Sequence, residues 1–206
     1  MKKHISYSEV NKFLQNKQEY YEEYVLGIKP EPNEKMVLGS IVHEMFANPN
    51  YDYKTALKNN NFTAKEFRVV EGFRLFKFPK KSVSEYKLSE KVVADCELIG
   101  YIDKMTKETV YEIKTSGSFW NKSRVEESLQ LTIYSFLHTQ HYKLEEPSPL
   151  VLVNFNTNNG KFVEFETKRT LEQHKEMLKL VRDVISEIKN LGWFEERYER
   201  GIQKGI

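Results

Sequence analysis

Gly100-Tyr101-Ile102-Asp103, a polar turn at Thr106-Lys107-Glu108 and Thr109-Val110-Tyr111-Glu112-Ile113-Lys114-Thr115 follow one another in the middle of the chain. The second run alternates apolar and polar residues as a strand does, and the turn between the two runs makes them a hairpin. Asp103 then ends one strand. Glu112 and Lys114, two residues apart on the next, leave the same face of the sheet. Carboxylates converging from neighbouring strands form a hard, oxygen-rich site suited to Mg²⁺ or Mn²⁺. A lysine beside them can hold a water and neutralise charge developing on a phosphate. Taken alone the pattern is short and built from common residues. A cross-strand Glu–Lys pair on a solvated face contributes only about 0.2–1 kcal/mol, so the rest of the chain must decide.

Working outward, Ser89-Glu90-Lys91-Val92-Val93-Ala94 adds a strand upstream and completes an antiparallel meander. Downstream, a helix is expected from Ser123 to His138. Leu150-Val151-Leu152-Val153-Asn154-Phe155 is an apolar run of strand length, as in a strand covered on both faces. Asn158-Asn159-Gly160 turns it into a further strand, Lys161 to Phe165. From Leu171 to Leu191 the apolar positions Met177, Leu178, Val181, Val184, Ile185, Ile188 and Leu191 define one face of a long helix. Toward the N-terminus, Ser6 or Ser8 can cap a helix running to Gly27. Pro30 and Pro32 hold a loop, and a second helix runs from about Val37 through Phe46. Gly39 lies within it, and a helical Gly costs about 1 kcal/mol against Ala, which points to close packing there. Residues 47–85 show Asn-rich turns, a short helix, another over Ala64–Phe76, and a basic turn at Lys77, Lys80 and Lys81. The expectation is an α/β fold with a mixed central sheet flanked by helices, in a single domain. N-terminal helices would occupy 1–85, the sheet core 86–165 and a C-terminal helix 170–191.

The composition sets outer limits. With 206 residues the chain fits one domain, and 39% hydrophobic with 13% aromatic residues is a globular make-up. A formal charge of +2 gives no general affinity for polyanions, so a nucleic-acid surface would have to be local. The lone cysteine, Cys96, excludes an internal disulfide and a cysteine-rich metal cluster. No apolar run reaches the roughly 20 residues that span a bilayer, and the basic N-terminus lacks the apolar stretch of a signal peptide. A cytoplasmic location is expected.

Five short motifs lie in order along the chain. They are Ser6-Tyr7-Ser8, Gly39-Ser40-Ile41-Val42-His43, Gly100-Tyr101-Ile102-Asp103, Glu112-Ile113-Lys114-Thr115 and Gln130-Leu131-Thr132-Ile133-Tyr134. Together they resemble the RecB-like exonuclease branch of the PD-(D/E)XK nuclease superfamily, with its restriction-endonuclease-like core. The resemblance implies a metal-dependent DNA nuclease, an exonuclease of recombination, repair or phage DNA processing. It implies one or two Mg²⁺ or Mn²⁺ ions held by His43, Asp103, Glu112 and the main-chain carbonyl of Ile113. Lys114 would orient the attacking water, with Gln130 and Tyr134 positioning it or meeting a DNA phosphate. Some relatives carry a four-cysteine iron–sulfur cluster; this chain has Asn16-Lys17 where the first cysteine would fall, so no cluster is expected.

No phosphate-binding loop of a helicase is present. The chain is either a stand-alone nuclease, alone or as a homo-oligomer, or works with a helicase or recombinase partner. The rival from another class is a catalytically silent nucleic-acid-binding or regulatory subunit. Beyond the lysine, Ser116, Trp120, Lys122 and Arg124 are the expected DNA contacts: the aromatic pair Phe119-Trp120 could stack on unpaired bases while the cations meet phosphates. Glu90 is a further carboxylate that could stand near the site.

Overall fold

The computed structural model describes residues 3–201. Chain order is β1 (Lys3–Ser6), α1 (Tyr7–Gln15), α2 (Lys17–Tyr20), a π-helical turn (Tyr21–Val25), α3 (Glu34–Ala47), α4 (Tyr53–Asn59) and α5 (Ala64–Phe73). Then come β2 (Val83–Val93), β3 (Cys96–Met105), β4 (Val110–Ser116), α6 (Lys122–Glu126) and α7 (Leu129–Tyr142). The chain continues through β5 (Pro149–Asn156), β6 (Phe162–Lys168), α8 (Leu171–Asn190) and α9 (Trp193–Glu199). The sheet has six strands and is mixed: β1 runs parallel to β3 and β4 parallel to β5, while the β2–β3, β3–β4 and β5–β6 pairs are antiparallel.

Each face of the sheet carries its own core. Ile5, Leu98, Ile102, Val110, Leu150 and Leu152 meet α1, α7, α8 and α9 on one face. Ile113, Val153 and Phe155 meet α3, α4 and α5 on the other. The two faces of β5 therefore both lie under helices, which is why its sequence reads as a continuous apolar run. Helix α8 buries Met177, Val181, Val184, Ile185 and Ile188 of its expected stripe, together with His174, while Leu178 is only partly buried and Leu191 is 45% exposed just past the helix end. No helix among the described residues is long and apolar enough to cross a membrane.

Several boundaries differ from expectation, each for a local reason. The first helix does not run from Ser6 to Gly27. Asn16 leaves helical geometry at φ −157° and ψ 104°, and its side chain accepts from the N–H groups of Gln18 and Glu19. A short polar side chain that satisfies a fresh helix start stops the previous one. The Ser123–His138 helix is likewise two, because Ser128 caps α7 by accepting from Leu131 N–H. The segment 1–85 is not purely helical, since β1 opens it and β2 begins at Val83 rather than near Ser89. Ser6 is the true cap of α1, in a reciprocal capping box with Glu9.

What matters for function is where strands part. Strand β3 is flanked by β2 along its length, but on its other edge by β1 over Cys96–Ile99 and by β4 only at Lys104 and Met105. Between these two partners β3 has an unladdered edge at Gly100–Asp103.

Candidate active site

Gly39 brings α3 against the end of β4. A Cβ placed there would stand 3.0 Å from Thr115 Oγ1, so a side chain would hold the helix off the strand. One turn further on, His43 Nδ1 lies 3.1 Å from Asp103 Oδ1. The other Asp103 oxygen, Oδ2, accepts from Ile113 N–H at 2.6 Å and so replaces the missing rung where β3 and β4 diverge. Asp103 thus ties the histidine helix to the carboxylate strand. Its own side chain remains 11% exposed, open to a groove that His43, Glu44, Glu85, Tyr101 and Thr115 also line.

On β4, Glu112 and Lys114 leave the face covered by α7. Lys114 Nζ stands 2.6 Å from Glu112 Oε1 and donates to Gln130 Oε1 at 2.8 Å. Gln130 Nε2 in turn donates to Tyr134 OH at 3.2 Å. The i, i+4 spacing of Gln130 and Tyr134 is what lets α7 present both to the strand. Gly100 makes room for this: a Cβ there would come within 2.8 Å of Leu137 Cδ1 and 3.0 Å of Tyr134 Cε1.

The electrostatics follow from burial. Glu112 is 2% exposed, and its second oxygen, Oε2, is buried without a hydrogen-bond partner. Burial, and after it the negative charge of Asp103, pushes the Glu112 carboxyl up to about 7, with Lys114 and His43 working against the rise. For Lys114 burial disfavours the ammonium, but the Glu112 carboxylate outweighs it and the pKa ends above its ordinary value. His43 behaves alike: burial lowers it, the Asp103 hydrogen bond and charge raise it more, and the net shift is upward. The Tyr134 hydroxyl is driven far up by burial.

These residues fit a divalent cation. A buried carboxylate oxygen left without a partner is costly, and Glu112 Oε2 is such an atom. A ring nitrogen of His43 and carboxylate oxygens of Asp103 and Glu85 lie within 4.8 Å of one another. The carboxylate oxygens suit Mg²⁺ or Mn²⁺, and the imidazole nitrogen adds a donor common to divalent transition metals.

Glu85 was missed in the sequence. It adopts φ 48° inside β2, a left-handed conformation uncommon for a residue with a Cβ, and lies across from Asp103. Burial and the Asp103 charge raise its carboxyl pKa. Glu90, the acid weighed for this role, pairs with Leu98 further along the strand, away from Asp103. The second omission is Asn154. Wholly buried, it donates to Lys114 O at 3.0 Å and Ser116 Oγ at 2.9 Å, and accepts from Trp120 N–H at 2.8 Å. An Asn inside an apolar strand run is the signal that could have found it, because such a side chain must be fully bonded to be tolerated.

The expected DNA contacts separate into two kinds. The Arg124 guanidinium lies over the Trp120 ring, 3.9 Å from its centroid. Ser116 is held by Asn154 and donates to Ser118 O, while Lys122 is 82% exposed and pairs loosely with Glu126 at 3.7 Å.

The sequence profile of the PD-(D/E)XK nuclease superfamily matches residues 4–201. Among solved structures, the chain is similar to a protein from Eubacterium rectale assigned as a candidate exonuclease. The TM-score is 0.63 at 15% identity, over 95% of this chain and 82% of that one. It is also similar to the protein SSO0001, with a TM-score of 0.53 at 18% identity, over 90% of this chain and 77% of that one. At these identities the likeness is one of fold. No curated protein matches the chain significantly.

Proposed function

The chain belongs to the PD-(D/E)XK nuclease superfamily, and on that premise we propose that it is a cytoplasmic, metal-dependent deoxyribonuclease that degrades DNA from its ends. The observation that carries this is the placement of Lys114 between Glu112 and Gln130, beside a buried carboxylate oxygen that lacks a partner. His43, Asp103, Glu112 and the Ile113 carbonyl would hold Mg²⁺ or Mn²⁺, with Glu85 as an added ligand from β2. When bound, the cation polarises the scissile phosphate and lowers the pKa of the attacking water.

The chain's own side chains do the rest. Lys114, pinned by Gln130, directs a remaining N–H toward the water and balances charge developing on the phosphate. Tyr134 keeps Gln130 in its orientation. Asp103 fixes His43 and the β4 backbone together, so that all ligands share one rigid frame. Ser116, Trp120, Lys122 and Arg124 would guide the strand past the site.

Exonuclease action rests on the fold's likeness to the candidate exonuclease from Eubacterium rectale. The test is incubation of end-labelled linear DNA and closed circular DNA with the purified protein, in Mn²⁺, Mg²⁺ or EDTA. Metal-dependent loss of label from linear DNA, with the circle untouched, is the expected result. Cutting of the circle would make it an endonuclease. No cutting with any divalent metal would return the chain to a silent binding subunit.

A further inference from the structure

A hollow beside the Lys114 end of β4 is lined by Tyr7, Asn11, Trp120, Asn121, Arg124 and Glu127. Its floor is a stacked pair: the Arg124 guanidinium lies 3.9 Å from the Trp120 centroid. Among the described residues Arg124 has no carboxylate partner, so this planar cation rests on the indole and otherwise faces the hollow. An arginine laid flat on an aromatic ring offers a π-surface and a charge together.

Three further observations tie the hollow to the candidate catalytic centre. Asn154 bonds both Lys114 O and Trp120 N–H, so one buried side chain sets the platform's position relative to the lysine. Tyr7 stands in the field of Lys114 and Glu112: burial raises its hydroxyl pKa, with the Lys114 charge opposing and the Glu112 charge adding to the rise. The same Tyr7 forms a wall of the next hollow, shared with Gly100, Tyr101 and Tyr134, and Tyr101 in turn lines the His43–Asp103 groove. Tyr7 and Tyr101 therefore each line two of the three hollows, which lie in sequence between Arg124 and the His43–Asp103 groove.

We propose that the Trp120–Arg124 platform holds an unpaired base of the strand being cut, making single-stranded DNA, rather than intact duplex, the substrate of this site. In a duplex every internal base hides its faces against its neighbours, and a stacking platform has nothing to receive. An unpaired base presents a free face to the guanidinium, and the Asn154 link holds that platform at a fixed position relative to Lys114. This rests on the nuclease reading for its meaning but not for its test.

The test is a fluorescence titration in EDTA, where cleavage is absent, with a short oligothymidylate and a blunt hairpin duplex. The oligothymidylate is expected to quench tryptophan emission in the wild type. The quench should vanish in Trp120→Phe, because Trp193, the other tryptophan, is packed among Phe13, Tyr20 and Tyr21. Arg124→Ala, at an exposed position, should weaken oligothymidylate binding about tenfold, the scale of one stacked base, and leave duplex binding within about twofold. Circular dichroism confirms that both variants are folded. A quench that survives Trp120→Phe, equal losses for both DNAs in Arg124→Ala, or no binding of the oligothymidylate would each overturn the proposal. A protein that cuts duplex DNA yet shows no Trp120 signal contradicts this inference alone; one that binds through Trp120 yet cuts nothing contradicts the nuclease reading alone.

Discussion

Gln130 accepts a hydrogen bond from the Lys114 ammonium at 2.8 Å while donating to Tyr134 at 3.2 Å, so a helix and a strand jointly aim one lysine. Removing the amide frees the ammonium without removing its charge. We therefore expect Gln130→Ala to lower kcat by about tenfold, the smaller end of what a misplaced catalytic group costs, with KM nearly unchanged. Tyr134→Phe leaves the Gln130–Lys114 bond intact and should lose less. Steady-state kinetics on both variants checks the order.

The raised Glu112 carboxyl gives a pH dependence with a definite sign. With its pKa near 7, Glu112 is largely protonated at pH 6, and a cation must displace that proton to bind. His43, also shifted upward, adds to the competition. Metal affinity should rise with pH below 7, by about tenfold per unit for each proton displaced, and level off above it. Calorimetric titration of Mn²⁺ in two buffers of different ionisation heat should detect proton release at acid pH that fades by pH 8.5. Affinity independent of pH, with no protons released, would be inconsistent with Glu112 as a ligand.

Gly100 sits beneath α7 at the unladdered edge of β3. Gly100→Ala would drive a methyl to 2.8 Å from Leu137 Cδ1 and against the Tyr134 ring, displacing the helix that carries Gln130. Overpacking of this kind costs about 1–3 kcal/mol, and activity should fall with it. Urea melts and cleavage assays on the same preparation would show the two losses together.

The chain ends are joined by a buried ion pair. Arg197 of α9 bonds to Glu9 of α1, both side chains being at most 3% exposed, and His4 N–H donates to Tyr198 OH beside them. Leaving one buried charge uncompensated typically costs about 3–5 kcal/mol, so Arg197→Met should be among the most destabilising substitutions in the protein. A midpoint shift in urea unfolding measures it.

Local pattern accounts for what could be read beforehand. β4 alternates, β5 is an unbroken apolar run and α8 carries one helical stripe because each meets a uniform environment along its length, and the sequence order of His43, Asp103, Glu112, Lys114, Gln130 and Tyr134 pointed to their meeting. What stayed hidden was non-local or irregular. β1 is four residues with one fully buried side chain, Ile5, and gains its strand form from pairing with distant β3. Glu85 sits where a left-handed residue interrupts the alternation of β2, so no period marks it. The breaks at Asn16 and Ser128 came from single side-chain caps that a count of apolar spacing passes over.

Asp103 and Lys114 are the two groups on which the proposed hydrolytic centre depends. The direct measurement is the rate of metal-dependent release from end-labelled DNA by wild type, Asp103→Ala and Lys114→Ala, each shown folded by circular dichroism. The wild type should cleave, and both variants should lose at least about 10²-fold, as expected when a group that stabilises transition-state charge is removed. Wild-type rates in either folded variant would contradict it.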